Sequence, residues 1–106
     1  MKVLVDADSC PRAVRELILR SSARTGIRVI FAANRPIPGI GGAEAVMELC
    51  PPGEGAADNR IVELAEPGDL VVTRDIPLAA RLAEASVMVL DDRGRAYTRE
   101  NIRERL

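Results

Sequence analysis

Five short stretches of this chain are apolar without the alternation of a half-exposed strand: KVLVDA, IRVIFAA, AVMELC, LVVT and VMVL, the third being the weakest. A run of that kind suits a strand buried on both faces, the situation in a parallel sheet covered on either side. Helix signals stand between the runs. Pro11 suits the first turn of a helix, with Ser9 or Cys10 near its cap; Val14, Leu17, Ile18 and Ser21 follow at helical spacing, and Gly26 ends the segment. AADNRIVELAE carries Ala57, Ile61, Leu64 and Ala65 on one side, and RDIPLAARLAEA has Pro77 in its first turn. TRENIRERL begins a last helix, with Thr98 as its cap and Ile102 and Leu106 facing one way. NRPIPGIGG and PPGEG read as irregular loops, and DDRGR as a tight turn. Strands alternating with helices imply right-handed crossovers and a mostly parallel five-stranded sheet with helices on both faces, a three-layer α/β/α fold.

At 106 residues the chain suits one domain, spanning 1–106. Apolar residues make up 47% and aromatic ones 2%, so the core must be aliphatic. A formal net charge of −1 argues against a strongly basic nucleic-acid coat but leaves room for a local arginine patch. Lys2 is the only lysine. Histidine is absent, and Cys10 and Cys50 form no C-x-x-C pair, which excludes histidine-dependent nucleophilic mechanisms and argues against zinc or redox motifs. Spacing alone does not bring the two sulfurs together, and cytosolic thiols stay reduced. The chain enters KVLV without a signal region, and no apolar run is long enough to span a bilayer. The expectation is a cytoplasmic protein with no membrane partner. The chain shows no repeat, low-complexity tract or linker.

The acids carry the functional argument. In an open parallel sheet, ligands bind outside the carboxyl ends of the strands. Asp6 and Asp8 close the first strand, Asp75 follows the fourth, Asp91 and Asp92 close the fifth, and Asp58 lies in the first turn of the helix after the third. All are expected on one rim. Residues two apart on a strand point the same way, so Asp6 and Asp8 approach a common point if the strand runs through both. Clustered carboxylates raise one another's pKa unless a cation offsets the repulsion. Oxygen-only ligands select a hard ion, Mg²⁺ or Mn²⁺. Local roles compete with this one: Asp75 precedes IP and suits a helix cap, and Asp91 and Asp92 precede RG and suit a turn. For Asp6 no cap or turn requires an acid.

A metal held by aspartates at a strand edge suits phosphate-ester chemistry, where it polarises a phosphoryl oxygen and activates water. Arg35, Arg74, Arg93 and Arg95 lie near the same rim and suit phosphate contacts. Two architectures place acids in this way. VDAD, LVVT and VLDD resemble three motifs of haloacid-dehalogenase-like phosphatases, but Lys2 opens the first strand at its far end, so that family's phosphate-binding lysine is missing unless an arginine replaces it. PIN-like nucleases carry aspartates after the first, fourth and fifth strands and an acid from a middle helix. Asp6, Asp58, Asp75 and Asp92 fit that arrangement, and TRD is similar to the PIN family's T-x-D.

The chain as a whole resembles the YaiI/YqxD family, bacterial proteins of uncharacterised function assigned a PIN-like fold. VDADSCP, ANRPIP, AADNRIVE, PGDLVVTRDIPLAARL, DDRGRAYT and NIRERL carry the resemblance across essentially all of its length. The resemblance implies a PIN-like sheet with the first strand central, and Asp6, Asp8, Asp58 and Asp75 as the acidic site. It implies no activity. The pattern departs from the family's in two places: Gly55 stands where members carry the first acid of D-x-A-D, and family chains continue past IRERL for several more helical turns. The expectation drawn from these readings is a metal-dependent nuclease-like domain acting on RNA. In it Asp6, Asp58 and Asp75 ligate Mg²⁺ or Mn²⁺, and Asp8 and Asp92 complete the shell. A dehalogenase-like phosphatase and a non-catalytic binding or regulatory module are the alternatives, and the last helix leaves a homodimer open.

Overall fold

The computed structural model of the chain describes residues 1–105. Its elements are β1 Val3–Asp6, α1 Arg12–Thr25, β2 Val29–Ala33, β3 Ala45–Leu49, α2 Ala56–Leu64, β4 Leu70–Val72, α3 Ile76–Glu84, β5 Met88–Leu90 and α4 Arg99–Arg105, with a 3-10 turn, Ala7–Ser9, between β1 and α1. The five strands form one sheet in the order β3-β2-β1-β4-β5, and every neighbouring pair is parallel. Val3 lies opposite both Val29 and Leu70, which makes β1 the central strand.

The absence of alternation in the apolar runs has its cause here. Every residue of β1 and β2 is buried, because helices or loops cover both faces of the sheet. Leu4, Ile30, Ala32, Val71 and Val89 point to the face that holds Ile61 of α2, Leu78 and Leu82 of α3, and Ile102 of α4. Val3, Val5, Val29, Phe31 and Ala33 point to the other face, against Val14, Ile18 and Leu19 of α1. Full burial of a side chain such as Phe31, Ile61 or Leu82 contributes about 1.5–3 kcal/mol each.

The crossover from β2 to β3 has no helix. Pro36, Pro38, Gly39, Gly41 and Gly42 break it up, as the composition of residues 34–44 predicts, and Ile37 and Ile40 from this loop pack on the α1 side where a helix would otherwise lie. The expected caps of α3 and α4 are present, whereas neither Ser9 nor Cys10 caps α1: Asp75 Oδ1 accepts the Leu78 N–H at 2.9 Å with Pro77 following, and Thr98 and Asn101 bond reciprocally at 3.1 and 2.8 Å.

Three expectations need correction. The first strand does not run through Asp8: it ends at Asp6, and the chain turns into the 3-10 segment, so the two acids are not alternate residues of one strand. Pro11 stands at the cap position of α1 rather than inside its first turn. The packed stripe of α1 is Val14, Ile18, Leu19 and Ser22, while Leu17 is 54% exposed, because the helix meets the sheet along its i, i+4, i+8 line. Leu106, expected beside Ile102, lies outside the described residues.

Candidate functional site

β2 and β3 are added on one side of β1, and β4 and β5 on the other, so the strand order reverses at the β1–β4 pair. At such a point the connections leaving the two strands diverge and open a crevice at their carboxyl ends. Asp6 closes β1 at the crevice and is buried, and Thr73, also buried, directly follows β4. The Thr73 hydroxyl donates to Asp6 Oδ2 at 2.7 Å, and the Ser9 hydroxyl donates to the same oxygen at 2.9 Å. Burial raises the Asp6 pKa, the two hydroxyls pull against that, and the nearby charges of Asp75 and Asp8 add to the rise. This commits Oδ2 and leaves Oδ1 as the oxygen for a ligand.

Three further acids reach the same cleft, of about 220 Å³, together with Ser9, Asn34, Gly55 and Ala57. Asp8, exposed on the 3-10 turn, accepts the Asn34 N–H at 2.9 Å, which ties the turn after β1 to the end of β2. Asp75 caps α3 with Oδ1 while its own N–H donates to Thr73 Oγ1 at 3.0 Å. Asp58 comes in from the first turn of α2. Its carboxyl is pushed up to about 6, first by burial, then by the charges of Asp75 and Asp6 and by a hydrogen bond shared with Asp75, against the pull of Arg81.

The remaining rim residues go elsewhere. Asp92 stands in an adjoining cleft with Arg74, Arg93, Arg95 and Arg105, and its Oδ1 is 3.8 Å from Arg74 Nε. The structure does not bring it to the other four carboxylates. Asp91 makes the turn: it accepts the N–H groups of Arg93 and Arg95 at 2.9 Å each. Burial works against its charge, but these bonds hold its pKa below the ordinary value. Arg35 lies on the opposite flank, in a cleft shared by Asp8 and Arg15. Cys10 and Cys50 are free, and burial pushes the Cys10 thiol up to about 11, so neither acts as a thiolate near neutral pH.

Sequence reasoning missed Ser9 as a donor to Asp6, Asn34 as a donor to Asp8, and Tyr97, whose hydroxyl donates to the Thr73 carbonyl at 3.1 Å. A hydroxyl three residues after Asp6, and a threonine closing a buried strand beside Asp75, were the available signals.

The donor set suits a hard divalent ion: carboxylate oxygens without thiolate or imidazole, buried and crowded enough to raise the Asp58 pKa. The ligands are not preassembled. Among the described residues, no three His, Cys, Asp or Glu side chains stand close enough to hold an ion as they lie. No described helix is long and apolar enough to cross a membrane.

The family model described as "Uncharacterized BCR, YaiI/YqxD family" matches residues 4–106. A UPF0178 protein of Treponema pallidum is 51% identical over 106 residues, which are 100% of this chain and 60% of that protein. UPF0178 proteins of Burkholderia vietnamiensis and Vibrio parahaemolyticus are 48% and 43% identical over all of this chain and 71% and 72% of their own lengths. The chain thus spans between about three fifths and three quarters of these curated relatives. No solved structure matches it. With the family pattern running from β1 to α4, the chain belongs to the YaiI/YqxD family.

Proposed function

We propose that this chain is a PIN-like, divalent-metal-dependent nuclease domain that hydrolyses phosphodiester bonds of RNA. One observation carries the reading: Asp6 and Asp8 from the end of β1 and the turn after it, Asp58 from α2 and Asp75 before α3 come from three separate places in the sequence and line one cleft at the β1–β4 switch point. Asp6, Asp58 and Asp75 would hold Mg²⁺ or Mn²⁺, with Asp8 reaching it directly or through water. Once bound, the ion supplies Lewis-acid activation of a phosphoryl oxygen and of water.

The chain's own groups do the rest. Thr73 and Ser9 fix the Asp6 carboxylate, and the α3 N-terminus fixes Asp75, so these two acids are oriented before a ligand arrives. Asp58, whose carboxyl is raised to about 6 by burial and by the charges of Asp75 and Asp6, would have to lose its proton to hold the ion. Arg74, held near Asp92, and Arg93 and Arg35 on the flanks contact substrate phosphates.

The test is Mn²⁺-dependent cleavage of single-stranded RNA by purified protein. Asp6→Asn should abolish it, and equal cleavage by the variant would overturn the reading. The Thr73–Asp6 contact also suits a dehalogenase-like phosphatase that phosphorylates Asp6. Against that reading, Lys2 is spent at the opposite end of the sheet on Asp69, 2.6 Å away. Beryllium fluoride should then fail to bind at Asp6, and a bound fluoride there would revive the alternative.

A further inference from the structure

The acidic cleft has basic ground on both sides, and the strand order sets the sides. The loop after β2 lies on one side of the β1–β4 seam, and the turn after β5 on the other. On the β2 side, Asp8 lines both the acidic cleft and a second cleft walled by Arg15 and Arg35. Arg15 is anchored there, its Nη1 donating to the Cys10 carbonyl at 3.1 Å. Among the described residues, neither arginine has a carboxylate within salt-bridge distance. The groove continues between α1 and the 34–44 loop along Leu19, Pro38 and Ile40, an apolar wall that suits a nucleobase. On the β5 side, the cleft of Arg74, Arg93 and Arg95 also holds Asp91, 3.2 Å from Arg95 Nε, and Asp92, 3.8 Å from Arg74 Nε; Arg93 has no carboxylate within salt-bridge distance among the described residues, and Arg95 stays largely exposed. This cleft adjoins the acidic one through Ser9, whose Oγ lies 3.4 Å from the Arg74 N–H.

Without a bound cation, a phosphate approaching four carboxylates is repelled, so in that state attachment has to come from the surroundings of the cleft. A terminal phosphate would need only one basic flank. Building on the nuclease reading above, we infer that a single polynucleotide strand crosses the acidic cleft with phosphates held on both sides, by Arg15 and Arg35 on one and by Arg93 and Arg95 on the other. The bond offered to the carboxylates is therefore internal to the strand.

The test is fluorescence anisotropy in EDTA with a labelled oligouridylate of about 12 nucleotides. The wild-type chain should bind it. Arg15→Gln with Arg35→Gln, and separately Arg93→Gln with Arg95→Gln, should each weaken binding roughly tenfold and lower the slope of log K against log salt by about 1.4, two phosphate contacts at about 0.7 each. Should Arg15→Gln disturb α1, Arg35→Gln alone should lower the slope by about 0.7. Uridine monophosphate should compete poorly, and a thymidine oligomer of equal length should compete in proportion to its backbone contacts. Absence of binding by the wild-type chain, an inert arginine pair on either flank, or competition by the monophosphate as strong as by the oligomer would overturn the inference. The assay holds no divalent ion. Two-flank binding without metal-dependent cleavage would therefore defeat the nuclease reading alone, and cleavage with inert flanks would defeat this inference alone.

Discussion

Thr73 Oγ1 stands 2.7 Å from Asp6 Oδ2 and donates to it across the seam between β1 and β4. The same oxygen accepts the Asp75 N–H, and the Thr73 carbonyl accepts the Tyr97 hydroxyl, so one buried residue links β4, α3 and the segment before α4 to the acid at the end of β1. Thr73→Val keeps the shape and removes the hydroxyl, leaving Ser9 as the side-chain donor to Asp6. The cost should be about 1–3 kcal/mol in urea denaturation, with Thr73→Ser recovering most of it. A loss for Ser as large as that for Val would show that the methyl packing of Thr73 contributes as much as its hydroxyl's hydrogen bonds. With one donor gone, Asp6 should also bind Mn²⁺ more weakly, most of all below neutral pH.

Asp58 sets the pH dependence of the free protein. Its carboxyl titrates at about 6 in the fold, raised first by burial and then by Asp75 and Asp6, whereas an unfolded aspartate titrates near about 3.9. Between those values the folded chain keeps a proton that the unfolded chain releases, so stability falls as pH rises through this window and levels off above it. Asp6, also raised, adds to the same trend. Asp58→Asn should flatten the slope and stabilise the metal-free protein at neutral pH by roughly 1 kcal/mol, once screening at a half-buried site is counted. Thermal unfolding followed across the window reads this out, and a steeper fall in the variant would contradict it. If the cleft holds Mg²⁺ or Mn²⁺, the ion should reverse the sign, because it requires the ionised carboxylate. The metal-induced rise in Tm should grow as pH passes through about 6.

Gly55 offers the opposite experiment, adding a charge to the cleft. It lines the acidic cleft with φ +79°, and a Cβ built there meets no atom within 4 Å. The obstacle to a side chain is thus backbone conformation and not space, and aspartate tolerates the left-handed region better than most residues. Gly55→Asp should cost the free protein about 1 kcal/mol or somewhat more, from left-handed strain plus one more like charge. In return it should tighten Mn²⁺ binding severalfold by calorimetry. Unchanged or weaker Mn²⁺ affinity in a folded variant would show that no ion is held where the acids converge.

The layered frame is legible in the sequence because burial on both faces erases alternation, and β1 and β2 are buried at every residue. The rim is legible for a related reason: in a parallel sheet every strand delivers its last residue to the same edge, so Asp6 and Asp75 had to share that rim. The competing roles of Asp75 proved compatible, since one oxygen caps α3 and the side chain still borders the cleft. Other features leave no local trace. The 3-10 turn that takes Asp8 out of β1 is three residues long, too short for a periodic signal. The support that Thr73 gives Asp6 depends on the register of β4 against β1, across 67 positions of sequence. The division of the arginines between two flanks depends on the order β3-β2-β1-β4-β5, which chain order does not dictate. Asp92 misses the cleft because Asp91 takes the turn's N–H groups and the chain bends away toward Arg95.

The far end of the same two strands supplies a control that leaves the cleft untouched. Asp69, buried just before β4, accepts Lys2 Nζ at 2.6 Å, the Glu66 N–H at 2.9 Å and the Lys2 N–H at 3.1 Å. Burial by itself would raise its pKa, but these donors hold it below the ordinary value. A depressed folded pKa gives stability that is present above the unfolded value, near about 3.9, and is lost as pH falls through the folded one, the opposite sign to Asp58. Asp69→Ala strands the Lys2 ammonium, whose side chain is only 22% exposed, and should cost about 3 kcal/mol in urea denaturation. Lys2→Met should cost less, because Asp69 keeps two backbone N–H donors and loses only the ammonium. Neither residue borders the acidic cleft, so Mn²⁺ affinity and cleavage per folded molecule should stay at wild-type values in both variants. A fall in cleavage beyond the loss of folded protein would show that the position of Asp6 depends on how β1 and β4 are pinned at their opposite ends, and that the cleft is less rigid than its hydrogen bonds imply.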